Sequence, residues 1–134
     1  MSRKTIDELL EEERATYRRL TAREASEEVA RGGLIIDIRP TEQRRAHGVV
    51  PGAADIPRNV LEWRIDPDLG WMDERVAACQ GRLIIMCQEG YQSSLAAATL
   101  QRIGIDRATD LVGGFEAWAD QGLPVEPLAE DPSQ

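Results

Sequence analysis

Cys87 closes the apolar run LIIMC, residues 83 to 87. A short polar stretch follows, Gln88-Glu89-Gly90-Tyr91-Gln92, and then the alanine-rich segment SSLAAATLQRIG. A thiol between a strand exit and a helix start has a chemical meaning. A tight loop lets the backbone N–H groups of Gln88 through Gln92 converge on the sulfur, and the helix N-terminus adds roughly half a positive charge. Both favour thiolate over thiol, and the thiolate is the nucleophile. Gly90 supplies the backbone freedom that such a loop needs. The same cradle suits any anionic sulfur species, a persulfide included. Taken alone, a cysteine after an apolar run is more often a small hydrophobe closing a strand. The rest of the chain has to decide.

The elements that would position Cys87 can be read from periodicity. Thr5-Ile-Asp-Glu8 has the form of a capping box, with Ile6, Leu9, Leu10 and Tyr17 on one helical face. A second helix is expected from Ala22 to Arg31, stopped by Gly32-Gly33. LIIDI, residues 34 to 38, and LIIMC are continuous apolar runs of the kind buried on both faces of a parallel sheet. Ala54 to Ile56 reads as a short extended piece, Pro57 to Leu69 as loop with at most one helical turn, and Met72 to Cys79 as helix. Ser93 to Ile103 reads as a helix ended by Gly104, Thr109 to Val112 as a strand, and Phe115 to Gln121 as a last helix. Strands alternating with helices predict an α/β fold, an open parallel sheet with helices on both faces. Ligands in such sheets sit beyond the carboxyl ends of the strands, where Cys87 falls.

With 134 residues the chain suits one core. No apolar run approaches the length of a membrane span, and the charged start MSRKTIDELLEEER is no signal peptide, so a cytoplasmic protein without a membrane partner is expected. A net charge of −8 leaves no basic surface for nucleic acid. Two cysteines, Cys79 and Cys87, and one histidine, His47, do not make a four-ligand zinc site, so neither metal nor cofactor is expected. Both thiols are expected to be reduced, with Cys79 a spectator.

Three separated motifs carry a resemblance. LIIDIRPTEQRRAHGVVPGAADIP, residues 34 to 57, resembles the amino-terminal signature of rhodanese-like domains, and LVGGFEAWADQGLPV, residues 111 to 125, resembles their carboxy-terminal signature. Cys87 to Gln92 falls where the six-residue active-site loop of that family falls. The resemblance runs from about Thr21 to Val125. It divides the chain into an N-terminal helical extension over 1–20, a rhodanese-like domain over 21–126 and a tail over 127–134 expected to be disordered. It implies a sulfurtransferase in which the Cys87 thiolate takes sulfane sulfur from a small donor, thiosulfate or a low-molecular-weight persulfide. The Cys87 persulfide then passes it to a thiol or cyanide-like acceptor, or to a protein acceptor. The resemblance matches Asp37, Arg39 and Glu42 to polar positions near the family's second strand, and they are expected to support structure.

The chain also departs from the family pattern. Val49 stands where the signature has its histidine, and His47 is expected to be an exposed loop residue. The loop holds no arginine; Gln88 and Gln92 take those places, and Glu89 is acidic. A unit charge ~5 Å from the sulfur costs about 3 kcal/mol at an effective dielectric of 20, before solvent screening. Arg58 and Arg64 are the candidates to offset Glu89, in a segment able to fold over the pocket. Trp63 and Trp71 either wall that pocket or pack in the core, and core packing is expected of at least one. Together with Cys87, the candidate substrate-binding residues are Gln88, Glu89, Gly90, Tyr91, Gln92, Arg58 and Arg64. Two alternatives stand beside the enzyme. One is a sulfur carrier or binding module loaded by a partner protein. The other is a phosphatase or arsenate reductase, which would want an arginine where Ser93 stands.

Overall fold

The structure is a computed structural model that describes residues 2–129. Helix α1 (Ile6–Arg14) begins at the expected capping box, Thr5 with Glu8. Helix α2 (Ala22–Ala30) begins at a second one, Thr21 with Glu24. Strand β1 (Leu34–Asp37) leads into helix α3 (Thr41–His47), which the sequence reading does not contain. None of the α3 residues is buried, so the segment carries no apolar stripe for periodicity to detect. Strand β2 (Ala54–Asp55), a 3₁₀ turn over Arg58–Val60 and helix α4 (Leu61–Ile65) follow. Helix α5 (Glu74–Ala78) starts late because the Asp73 side chain caps it, accepting from Arg75 N. Then come β3 (Leu83–Met86), α6 (Gln92–Arg102), β4 (Ala108–Asp110) and α7 (Gly114–Asp120). The disordered tail expected over 127–134 falls mostly on 130–134, outside the described residues.

The four strands are all parallel, in the order β2-β1-β3-β4. The two apolar runs are the central pair, with Ile35 opposite Ile84 and Ile36 opposite Ile85. Alternation sends their side chains to opposite faces. Ile36, Leu83 and Ile85 meet Leu61 and Ile65 of α4 and Ala96, Ala97 and Leu100 of α6. Ile35, Ile84 and Met86 meet Ala25 of α2 and Phe115 and Trp118 of α7. Helices therefore cover both faces. From β1 the chain moves outward to β2, and from β3 it moves the other way to β4. The loops leaving β1 and β3 diverge, and the crevice between them is the topological switch point.

Two apolar side chains differ from expectation. Trp63 and Trp71 are 56% and 65% exposed, so neither packs in the core. In α4 the buried positions are Leu61 and Ile65, and Trp63, two residues from each, faces away. Trp118 is the buried tryptophan, its indole N–H donating to the Pro124 carbonyl at 2.8 Å.

The N-terminal segment joins the same body. Leu10 of α1 is buried, and Glu13 pairs with Arg102 of α6. Leu20 then runs beside the end of β4, accepting from Val112 N at 2.8 Å and donating to the Asp110 carbonyl at 3.0 Å.

On the opposite flank Asp73 accepts from Arg75 through both carboxylate oxygens, and Arg64 lies 3.4 Å away. The Arg75 hydrogen bonds hold the Asp73 carboxyl well below the usual carboxylate range, against the opposing effect of burial. A carboxylate held low in the fold stabilises it above the unfolded value and loses that contribution as pH falls. Asp73→Asn should therefore lower the urea midpoint at neutral pH. The deficit relative to the parent should begin to narrow below about pH 4 and keep narrowing as the pH falls further, as the parent loses the same contribution. A deficit independent of pH would show that the Asp73 charge is not the anchor.

Candidate active site

Cys87 lies one residue beyond β3, level with the exit of β1, and is 7% exposed. Its sulfur accepts from Gly90 N at 3.1 Å and Ser93 N at 3.3 Å. Of the stretch Gln88 to Gln92 expected to converge on the sulfur, Gly90 donates; the second donor is Ser93, one residue past it. Ser93 lies in the first turn of α6, whose N-cap residue Tyr91 offers no side-chain cap. The sulfur takes an orphan N–H that a cap would ordinarily satisfy, at the positive end of the helix.

The loop's carbonyls are held by other donors. Phe115 N and Glu116 N, at the start of α7, donate to the carbonyls of Cys87 at 2.9 Å and Gln88 at 3.1 Å. Arg14 Nη2 and Arg19 Nη2 donate to the Gly90 carbonyl at 2.8 and 3.1 Å. Gly90 itself has φ of +90°, and a Cβ there would stand 2.7 Å from Gly113 N. No other residue fits both the backbone and the space.

Behind the sulfur lies a buried polar cluster. Asp110, fully buried at the end of β4, accepts from Ser93 Oγ at 2.8 Å, Ser94 Oγ at 2.9 Å, Tyr17 Oη at 2.7 Å and Arg19 Nε at 2.9 Å. Ser93 Oγ also lies 3.4 Å from the Cys87 sulfur, as acceptor for the thiol. Burial, reinforced by the Asp110 charge, pushes the Tyr17 hydroxyl pKa up, so it remains a donor. Burial works against the Arg19 cation, but Asp110 outweighs it and raises the Arg19 pKa. Sequence reasoning found none of these partners, although an aspartate ending the strand beside the cysteine strand was a usable signal.

A cavity of about 240 Å³ opens over the sulfur, walled by Gln88, Glu89, Tyr91 and Gln92 on one side and by Ile38, Arg39, Pro40 and Gln43 on the other. Glu89 and Tyr91 are exposed at its mouth. Arg39 is fully engaged: its side chain binds Asp37, the Gly48 carbonyl and Gln88 Oε1, and its guanidinium stacks 4.1 Å from the Phe115 ring. Arg58 and Arg64 are not brought to this cavity. Arg58 pairs with Glu62 one helical turn away, and Arg64 reaches Asp73. Local carboxylates claim both, which the spacing in the sequence did not weigh. Arg58 lines a neighbouring cavity of about 430 Å³ that Cys87 does not touch. Cys79 lies at the far end of β3, its sulfur 3.3 Å from the Gly32 carbonyl.

The parallel sheet agrees with comparisons against known proteins. The Rhodanese-like domain family matches residues 21–121, and the chain belongs to that family. It is 33% identical over 92 residues to a sulfurtransferase of Allochromatium vinosum, covering 69% of this chain and 77% of that one. It is 32% identical over 101 residues to thiosulfate sulfurtransferase 16 of Arabidopsis thaliana, a chloroplast protein, covering 71% of this chain and 81% of the relative. A solved Rhodopseudomonas palustris protein of unknown function, described as a possible tyrosine phosphatase, superposes with a TM-score of 0.82 at 29% identity. That likeness covers 94% of this chain and 97% of the other. No helix among the described residues is long and apolar enough to cross a membrane.

Gly90→Ala should test the cradle. The added methyl meets backbone rather than a yielding side chain, so the loop must shift and withdraw its N–H from the sulfur. The expected result is at least about tenfold slower iodoacetamide alkylation of Cys87 at neutral pH, with about 1–3 kcal/mol of lost stability. Unchanged alkylation would mean that the Gly90 amide does not support the thiolate.

Proposed function

We propose that the chain is a sulfurtransferase working through a Cys87 persulfide. The Cys87 thiolate attacks the outer sulfur of the donor, the donor's sulfur–sulfur bond breaks, and the remainder leaves with the electron pair (sulfite, when the donor is thiosulfate). The terminal sulfur of the persulfide is then attacked by a thiophilic acceptor, and the Cys87 thiolate is released. Each half of the cycle places negative charge on sulfur in the cradle. The observation that carries the reading is the pair of backbone donors, Gly90 N and Ser93 N, on the Cys87 sulfur. Preorganised amides of this kind stabilise an anion without reorganising during the reaction. Relatives named as sulfurtransferases support the same reading.

A phosphatase reading has one point in its favour, the description of the Rhodopseudomonas palustris protein. Gripping a tetrahedral dianion calls for a guanidinium with free donors facing the nucleophile. Ser93 stands at the end of this loop, Arg39 is engaged by Asp37, Gly48 and Gln88, and Arg14 and Arg19 do not line the cavity. The sulfur reading is the stronger. As a carrier instead of an enzyme, the chain would load only from a protein partner or a persulfide and turn over poorly on small donors.

Intact-mass measurement after incubation with thiosulfate, a glutathione persulfide or an aryl phosphate tests these readings together. One added sulfur per chain is expected from a sulfur donor, absent in Cys87→Ser and retained in Cys79→Ser. Phosphate release without sulfur uptake would overturn the proposal. Glu89, exposed at the mouth, bears on donor choice. Glu89→Arg should raise kcat/KM for thiosulfate by at least about tenfold, equivalent to about 1.4 kcal/mol of barrier. The gain should shrink with added salt, and a singly charged persulfide donor should respond far less. Equal gains with both donors would place the effect on the nucleophile instead.

A further inference from the structure

The loop around Cys87 contains no arginine, yet besides Arg39 on Gln88 two arginines of the N-terminal segment reach it from outside. Arg14, the last residue of α1, donates to the Gly90 carbonyl through Nη2 and to Ser94 Oγ through Nε at 2.9 Å, and lies 5.8 Å from the Tyr91 ring centroid. Arg19 donates to the same carbonyl and, through Nε and Nη2, to both oxygens of Asp110. Its place is fixed by backbone pairing, because Leu20 is bonded to Asp110 and Val112, and Thr109 Oγ1 donates to the Arg18 carbonyl at 2.6 Å. The Asp110 side chain has no exposure and that of Arg19 only 17%.

We propose that Arg19, seconded by Tyr17 and Arg14, is a positioning residue for Cys87. It neutralises Asp110 behind Ser93 and so supplies, from the N-terminal segment, the cationic support that the loop sequence lacks. Asp110 is needed to orient Ser93, whose N–H and hydroxyl both meet the sulfur, but a bare carboxylate there opposes a thiolate. Arg19 resolves that conflict. The Ser93 hydroxyl itself donates to Asp110, as do Tyr17 and Ser94, so the Ser93 N–H is the donor that this cluster holds toward the sulfur. A charged sulfur would add to the stabilisation of the Arg19 cation that Asp110 chiefly provides. The other charged groups around the sulfur do not substitute for it. Arg39, leaving β1, is matched by Asp37; Glu89 of the loop and Glu116 of α7 are acidic. The inference rests on Cys87 being the working thiolate, as in the proposed function, but its test needs no sulfur transfer.

The measurement is the pH dependence of iodoacetamide alkylation in a Cys79→Ser background, so that one thiol reacts. The variants are Arg19→Met, Asp110→Asn and the two combined, each checked for folding by circular dichroism. Arg19→Met is expected to raise the alkylation midpoint by about one pH unit, roughly tenfold slower reaction at neutral pH, with the plateau at high pH retained. Asp110→Asn, which leaves the Arg19 cation unopposed, should lower the midpoint below the parent, and the double variant should return it toward the parent, a rescue that a purely structural role would not give. A folded Arg19→Met protein with the parent midpoint, or one whose plateau alone falls, overturns the proposal. If Arg19→Met does not fold, the double variant is compared with Asp110→Asn. A higher midpoint in the double variant supports the proposal, and equal midpoints overturn it. Failure of the parent chain to take up sulfur would overturn the sulfurtransferase reading and leave this comparison standing.

Discussion

The site depends on which way the peptide groups of one loop face. A peptide carries a donor and an acceptor on opposite sides, so amides can converge on a sulfur only if the loop's carbonyls are satisfied elsewhere. Here the carbonyls of Cys87 and Gln88 are taken by the first N–H groups of α7, and that of Gly90 by Arg14 and Arg19. The loop is thus held in tension between two neighbours. Both are needed, because each controls a different part of the turn. Gly114 lets α7 come close enough: a Cβ there would strike the Cys87–Gln88 backbone.

The sheet supplies the placement. Buried on both faces, β1 and β3 are rigid, and their register sets Asp37 beside Met86, with Asp110 beside Ile85. Two aspartates therefore flank the exit of the cysteine strand, each paired with an arginine. Asp37 with Arg39 steadies the β1 side and reaches Gln88; Asp110 with Arg19 steadies the β4 side and reaches Ser93. Buried pairs of this kind contribute little net stability compared with apolar packing, but losing one partner strands a charge. Their value here is in fixing geometry.

Much of this was legible in the sequence. Residues 34–38 and 83–87 announced themselves as central strands, and Gly90 after Cys87 announced a tight loop. What the sequence hid follows from the nature of the signals. Helix α3 buries no residue, so periodicity is silent over Thr41–His47. Arg58 and Arg64 were candidates because of their charge, but the fold gives each a nearer carboxylate. Trp63 and Trp71 were read as apolar, while the buried face of α4 belongs to Leu61 and Ile65. The contacts from Arg14, Tyr17 and Arg19 to Gly90, Ser94 and Asp110 span more than seventy residues, and no local pattern encodes such a pairing.

The two cysteines sit at opposite ends of β3. Cys79 lies before the strand, its sulfur against the Gly32 and Gly81 carbonyls, and Cys87 lies beyond it. The strand's four residues, about 13 Å long, stand between them. That is well beyond the span of roughly 4.4–6.8 Å between α-carbons that a disulfide tolerates. The chain therefore has no internal resolving thiol. In the proposed cycle, sulfur lodged on Cys87 has no second thiol of the chain within reach, so its release waits on a second molecule at the mouth between Tyr91 and Pro40.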